Sequence, residues 1–140
     1  EDAPFLTADG KTLYFASRGH NTMGGFDIFY SKLGQDGEWG APVTLGYPIN
    51  TVDDDVFFVP MADGRRAYYS SSKDGGYGLK DIYLVDMKID KDNYTFGTPE
   101  KITEHKGYNN QPCFSARGDL LYYVSDFDGK QTDMMLYEFI

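Results

Sequence analysis

A turn followed by an aromatic strand is written three times in this chain. The copies are Asp9-Gly10-Lys11-Thr12-Leu13-Tyr14-Phe15-Ala16-Ser17, Asp63-Gly64-Arg65-Arg66-Ala67-Tyr68-Tyr69-Ser70-Ser71 and Arg117-Gly118-Asp119-Leu120-Leu121-Tyr122-Tyr123-Val124-Ser125. Their first residues stand at 9, 63 and 117, a constant interval of 54. A period of that size built only from strand signals points to an array of small β units, none of which can bury its apolar faces alone.

The grammar around each turn is the same. Residues 3–7, 56–60 and 111–115 form a short strand before it, and Asp-Gly between apolar runs predicts a hairpin whose glycine takes positive φ. Pro4 places the first strand at a sheet edge, because proline cannot donate to a ladder. A loop, glycine-rich in the first two units (residues 17–26 and 72–78), leads to a third strand opening on Asp27, Asp81 or Asp133. Residues 42–45 and 97–103 read as fourth strands; the third unit has none. The 12 Tyr, 10 Phe and 16 Gly of the 140 residues suit strands and tight turns rather than helices. The expectation is an all-β chain of about three four-stranded antiparallel units: about 1–50, about 51–106, and about 107–140 with its last strand missing.

A formal net charge of −9 without a basic stripe excludes the electrostatics of a nucleic-acid binder. No apolar run approaches the length of a membrane-crossing helix. The single cysteine, Cys113, has no partner for a disulfide and is expected in the core.

Asp27, Asp81 and Asp133 sit at strand entrances, where a short carboxylate accepts from backbone N–H groups of the preceding loop. Asp9, Gly10, Asp63, Gly64 and Gly118 belong with them as structural repeat positions. Ser17, Ser71 and Ser125 recur at strand ends outside any Gly-x-Ser-x-Gly and with no recurring histidine, so no catalytic residue is assigned. His20 and His105 lie in loops without a carboxylate or thiol at fixed spacing. Ser72-Lys73-Asp74-Gly75-Gly76 resembles part of an Asp-box, a folding element. No metal or cofactor is expected; Asp126 and Asp128, in one loop, are the place where Ca²⁺ ligands could gather. Asp53, Asp54 and Asp55 enter an innermost strand, either as a solvated turn or as carboxylates at the mouth of a channel, meeting a basic or amine-bearing partner. Asn109 and Asn110 occupy the corresponding entrance of the third unit and join them as candidate binding residues.

Three sets of residues carry a family resemblance: Thr7-Ala8-Asp9-Gly10-Lys11 with Asp27-Ile28-Phe29, Ala62-Asp63-Gly64 with Asp81-Ile82-Tyr83, and Phe114-Ser115-Ala116-Arg117-Gly118 with Asp133. The chain resembles the PD40, or TolB-like (WD40-like), β-propeller repeat over nearly its whole length. Residues 46–51, Gly-Tyr-Pro-Ile-Asn-Thr, followed by Asp53, Asp54, Asp55, Phe57 and Phe58, are similar to propellers attached to OmpA-family peptidoglycan-binding envelope proteins. The third copy departs, with Arg117 in place of the turn aspartate, and residues 103–114 look more like stand-alone TolB-type propellers. The resemblance implies a fragment of a six-bladed propeller, its ring closed by further blades of the same chain or by a second copy. It implies a non-catalytic scaffold, periplasmic and outer-membrane-associated, whose partner is a protein or peptidoglycan-associated component and whose targeting signal lies outside this stretch. The alternative it leaves open is the propeller domain of a hydrolase, either gating a serine peptidase or acting on glycans.

Overall fold

The computed structural model describes residues 1–73, 80–91, 93–103, 109–115, 119–126 and 133–138. Among them every regular element is a strand. The order is β1 (Asp2–Leu6), β2 (Thr12–Ser17), β3 (Asp27–Lys32), β4 (Val43–Thr44), β5 (Asp55–Pro60), β6 (Arg66–Ser71), β7 (Asp81–Asp90), β8 (Asn93–Phe96), β9 (Glu100–Lys101), β10 (Asn109–Phe114), β11 (Leu120–Ser125) and β12 (Asp133–Glu138). They form three separate antiparallel sheets, β1-β2-β3-β4, then β5-β6-β7 with β8 and β9 both on β7, then β10-β11-β12. The sheets have four, five and three strands, where four-stranded units, the last lacking a strand, were expected.

The turns are built alike. In the first, the amide of Gly10 donates to the Thr7 carbonyl (2.8 Å) and that of Lys11 to the Asp9 carboxylate (3.0 Å). In the second, Gly64 donates to Met61 (3.0 Å) and Arg65 to Asp63 (2.9 Å). Gly10 and Gly64 adopt φ of 70° and 69°, the left-handed region that the Asp-Gly signal requires. Gly118 lies outside the described residues.

A bulge in the first strand of each sheet was not legible in the sequence. Pairing slips by one residue between Asp2 and Phe5, between Val56 and Val59, and between Asn110 and Cys113. The slips fall at equivalent places in the repeat, and at each a non-glycine residue takes positive φ: Ala3 (50°), Phe57 (56°) and Gln111 (56°). A bulge twists its strand and re-aims the side chains beyond it, at a cost of about 1–2 kcal/mol for an L-residue held left-handed. Gln111 is exposed, so glycine there relieves that cost without losing packing. Gln111→Gly is expected to raise the stability by roughly 0.5–1 kcal/mol and Gln111→Val to lower it, read from denaturant midpoints. An unchanged midpoint for both would remove the strained bulge.

Alternation puts the two faces of each sheet to different uses. Tyr14, Ile28 and Tyr30 of the first sheet pack with Phe58, Ala67, Tyr69, Tyr83, Val85 and Met87 of the second. Tyr68 and Ile82 on the second sheet's other face pack with Leu121 and Tyr123 of the third. The middle sheet is thus covered on both sides, and its β6 residues Tyr68 and Tyr69 are 1% and 0% exposed. The first strands of successive sheets are neighbours, β5 contacting both β1 and β10.

Two differences from expectation have physical causes. β7 runs on past its expected end and turns back as β8, a hairpin whose Tyr94 and Phe96 cover the edge of the first core; the Tyr94 hydroxyl meets that of Tyr14 at 2.8 Å. Cys113, expected in the core, is exposed, because the bulge at Gln111 leaves Pro112 inward and the thiol outward.

Candidate functional site

The chemistry-bearing residues gather where the first strands of the sheets begin, between the loop at 18–26 and the segment at 45–54. Backbone contact holds these two segments together: a Cβ on Gly24 would overlap the Val52 carbonyl, and one on Gly25 would overlap the Asp54 carboxylate. Glycine at both positions is what permits the approach.

Asn50 fastens this end of the first sheet. Fully buried, its side chain accepts from the Ile28 amide (2.7 Å) and donates to the Ile28 carbonyl and the Thr44 hydroxyl (2.9 Å each), as a further strand residue would. Thr103 does the same work in the second sheet, accepting from the Ile82 amide (3.2 Å) and donating to Asp81 (2.8 Å). Neither was singled out from sequence. Asn50 stood only as part of the 46–51 segment and Thr103 as the last residue of the expected strand 97–103, with no role attached to either.

The strand-entrance aspartates are deeply placed. Asp27 and Asp81 are 0% and 1% exposed, and the Met23 amide donates to Asp27 at 2.8 Å. Burial pushes the Asp27 carboxyl above the ordinary range. Asp133 is exposed at the start of β12.

Asp53, Asp54 and Asp55 do not act as a set. Asp55 is wholly buried and accepts from the Thr51 amide (2.6 Å) and hydroxyl (3.0 Å) and from the Ser71 hydroxyl (2.5 Å). Its carboxyl is pushed up to about 6 by that burial, against the pull of the hydrogen bonds. Asp54 accepts from the Phe26 amide (3.0 Å) and pairs with Arg18 (3.3 Å) and Lys80 (3.9 Å). The Phe26 bond above all holds it below the ordinary carboxylate range. Asp53 stays half-exposed at the loop. Asn109 and Asn110 are buried at the start of β10, the first donating its backbone amide to the Lys80 carbonyl at 2.9 Å.

Lys73, also not anticipated, reaches over the second sheet, its ammonium 3.9 Å from the Tyr83 ring centre and 3.0 Å from the Tyr69 hydroxyl. His20 takes a similar position over the first sheet, edge-on to Phe15 and tilted against Phe29 with centroids at 6.1 and 5.2 Å. It also stands 3.7 Å from the Glu1 carboxylate, a neighbour that spacing alone did not suggest.

Ser17, Ser71 and Ser125 are buried, and the first two accept from the backbone amides of Gly19 and Lys73. Among the described residues no group of three or more His, Cys, Asp or Glu side chains could hold a metal. Asp126 is half-buried, while Asp128, His105 and the Asp-box-like residues from 74 onward lie outside the described residues.

Around this buried polar layer the loops offer apolar tips: Tyr47 is 81% exposed, Val52 70% and Met23 49%. Val52 is adjacent in sequence to half-exposed Asp53, and the Gly24 contact brings the Met23 loop to the same place. At the opposite end of β1, β5 and β10, Phe5, Val59, Pro60, Pro112 and Phe114 line an apolar groove of about 430 Å³. No protein-family model matches this sequence, and neither does any curated protein.

Proposed function

We propose that this chain is a run of PD40/TolB-like propeller blades, divided at about 50 and about 106, that serves as a non-catalytic interaction scaffold in a bacterial cell envelope. Three observations support the blade reading: separate antiparallel sheets, face-to-face cores between successive sheets, and neighbouring innermost strands. A propeller presents its partner with the loops at one end of the ring, and function on such a fold belongs to the site rather than the fold.

The single observation that carries the scaffold reading is the contrast at that end. The carboxylates and serines that chemistry would need are buried in hydrogen bonds that build the loops, whereas Val52, next to Asp53, and Met23, whose loop meets Val52, stand in solvent, as does Tyr47 on the same 45–54 segment. Exposed apolar and aromatic side chains next to a carboxylate suit a protein partner with an apolar anchor and a basic neighbour. The periplasmic, outer-membrane-associated setting rests on the resemblance to OmpA-linked propellers.

A photo-crosslinking amino acid at Val52, introduced into the protein in its native host, tests this. An adduct with an envelope protein or a peptidoglycan-linked component, lost on Tyr47→Ala, is the expected result. Equal labelling from a probe at Glu38, on a remote turn, or adducts confined to cytosolic proteins, would overturn it.

A further inference from the structure

A second hollow, of about 440 Å³, lies across the joint between the first two sheets, at the end of the strands where the glycine turns stand. Its walls come from both sides of that joint. The first sheet contributes Phe5, Asp9 in the turn and Lys32 at the end of β3, and the second contributes Met61, Gly64 and Ile89. All of them belong to one internal joint, packed through Tyr14, Phe58 and Tyr69. Phe5, Pro60, Met61 and Ala62 also line the apolar groove of about 430 Å³, so the two hollows adjoin.

Against these apolar walls the polar groups are few and placed. The Tyr14 hydroxyl, on a buried ring that lines the hollow, has the Tyr94 hydroxyl as its hydrogen-bond partner at 2.8 Å. A phenol can donate one hydrogen bond and accept others, so Tyr14 keeps capacity for a polar group entering the hollow. On the rim, Asp9 accepts from the Thr7 hydroxyl (2.6 Å) and the Lys11 amide (3.0 Å), both on one oxygen, and its other oxygen is unspent. Those bonds, the Thr7 hydroxyl first, hold the Asp9 carboxyl below the ordinary range and so keep it charged. Lys32 is half-buried, its ammonium 6.0 Å from the Tyr30 ring centre and donating across the joint to the Lys91 carbonyl (3.4 Å). Asp9 and Lys32 thus line one hollow with opposite charges, yet Asp9 forms no ion pair among the described residues.

We propose that this hollow binds a free α-amino acid with an apolar side chain, its ammonium on Asp9, its carboxylate on Lys32 and its side chain against Phe5 and Met61. A carboxylate and an ammonium left separate across an apolar hollow match a zwitterion, which satisfies both. A simple anion or cation would meet one partner and one like charge. The volume falls in the range of small-molecule sites, which are apolar with a few polar groups that fix orientation. This site goes beyond the scaffold reading and does not rest on it.

Titration of the isotope-labelled chain with L-leucine and with L-phenylalanine, followed by amide chemical shifts, is the test. Isoamylamine, which lacks the carboxylate of leucine, and isocaproate, which lacks its ammonium, are the controls. The expected result is a saturable shift with at least one of the amino acids, centred on residues 9–12, 61–64 and 89. Its Kd should be about 1 mM or tighter, with each control roughly ten-fold weaker. Asp9→Asn keeps the acceptor for the Lys11 amide and should bring leucine down to the affinity of isocaproate. Lys32→Met keeps the apolar stem and should bring leucine down to the affinity of isoamylamine. No saturable shift from either amino acid would overturn the site. Controls that bind as well as leucine, or a leucine affinity unchanged in both variants, would overturn it too. If circular dichroism shows that a variant has not folded, the two controls on the wild type decide alone.

Discussion

Replacing Asn50 with alanine is expected to lower the stability of this protein by about 3 kcal/mol, although the residue touches no exposed surface. The substitution removes the acceptor for the Ile28 amide and the donor to the Ile28 carbonyl, both buried, and the donor to the Thr44 hydroxyl at the exposed edge strand. The carbonyl keeps a second donor, the Leu45 amide at 3.0 Å, whereas the amide loses its partner outright. A buried donor left unpaired costs about 1–3 kcal/mol, and the small cavity adds to it. Asn50→Asp should be worse, since a carboxylate cannot donate to either oxygen and would be buried charged. Thr103→Val makes the comparison in the second sheet: it keeps the shape, removes the hydroxyl that links Ile82 to Asp81, and should cost about 1–2 kcal/mol. Denaturant melts give the size, and hydrogen exchange at the Ile28 amide gives the place. Full protection of that amide in the alanine variant would show that the side-chain clip is not what holds the strand.

Asp55 makes the second large effect, visible as a pH dependence. Its folded-state carboxyl titrates near 6, well above the 3.8 of an unburied aspartate, chiefly because burial penalises the charge. Between those values the folded protein holds a proton that the unfolded chain has released. The stability that Asp55 contributes is therefore complete below about pH 4, falls by about 1.4 kcal/mol per pH unit as pH rises to 6, and is level above it. Asp27 is shifted in the same direction by its own burial and adds to the slope. Asp9 and Asp54, held low by their hydrogen bonds, act in the opposite sense at lower pH. The difference between the wild type and Asp55→Asn isolates the one group. Asparagine already stands at the equivalent start of β10, as Asn109, and can accept from the Thr51 amide while donating to the Ser71 oxygen. Asp55→Asn should therefore fold, should be at least as stable as wild type at pH 7, and should lose the decline between pH 4 and 6. Parallel slopes in the two proteins would mean that Asp55 is already ionised at pH 4.

Both effects come from residues whose sequence context pointed elsewhere. Asp53, Asp54 and Asp55 form a run of like charge, and a run of like charge reads as a solvated or partner-facing patch. The three are separated by where the backbone turns: Asp55 begins β5 and faces inward, Asp54 meets Arg18 and Lys80 across the sheet boundary, and Asp53 stays at the loop. Asn50 is silent in sequence because its partner, Ile28, is 22 residues away. Asp9 and Asp63 were legible because each bonds an amide only two residues on, so their chemistry is local.

The strands, their antiparallel order and the glycine turns followed from the sequence alone, because alternation, Asp-Gly signals and a constant period act over a few residues and repeat. The tertiary structure decided which face of each strand meets which sheet, where the bulges at Ala3, Phe57 and Gln111 re-aim side chains, and that β7 continues into a hairpin closing the first core. Those choices depend on what lies across an interface. A tyrosine at 14, 68 or 122 is the same letter in every copy, and only the neighbouring sheet makes two of them interior and leaves one in water.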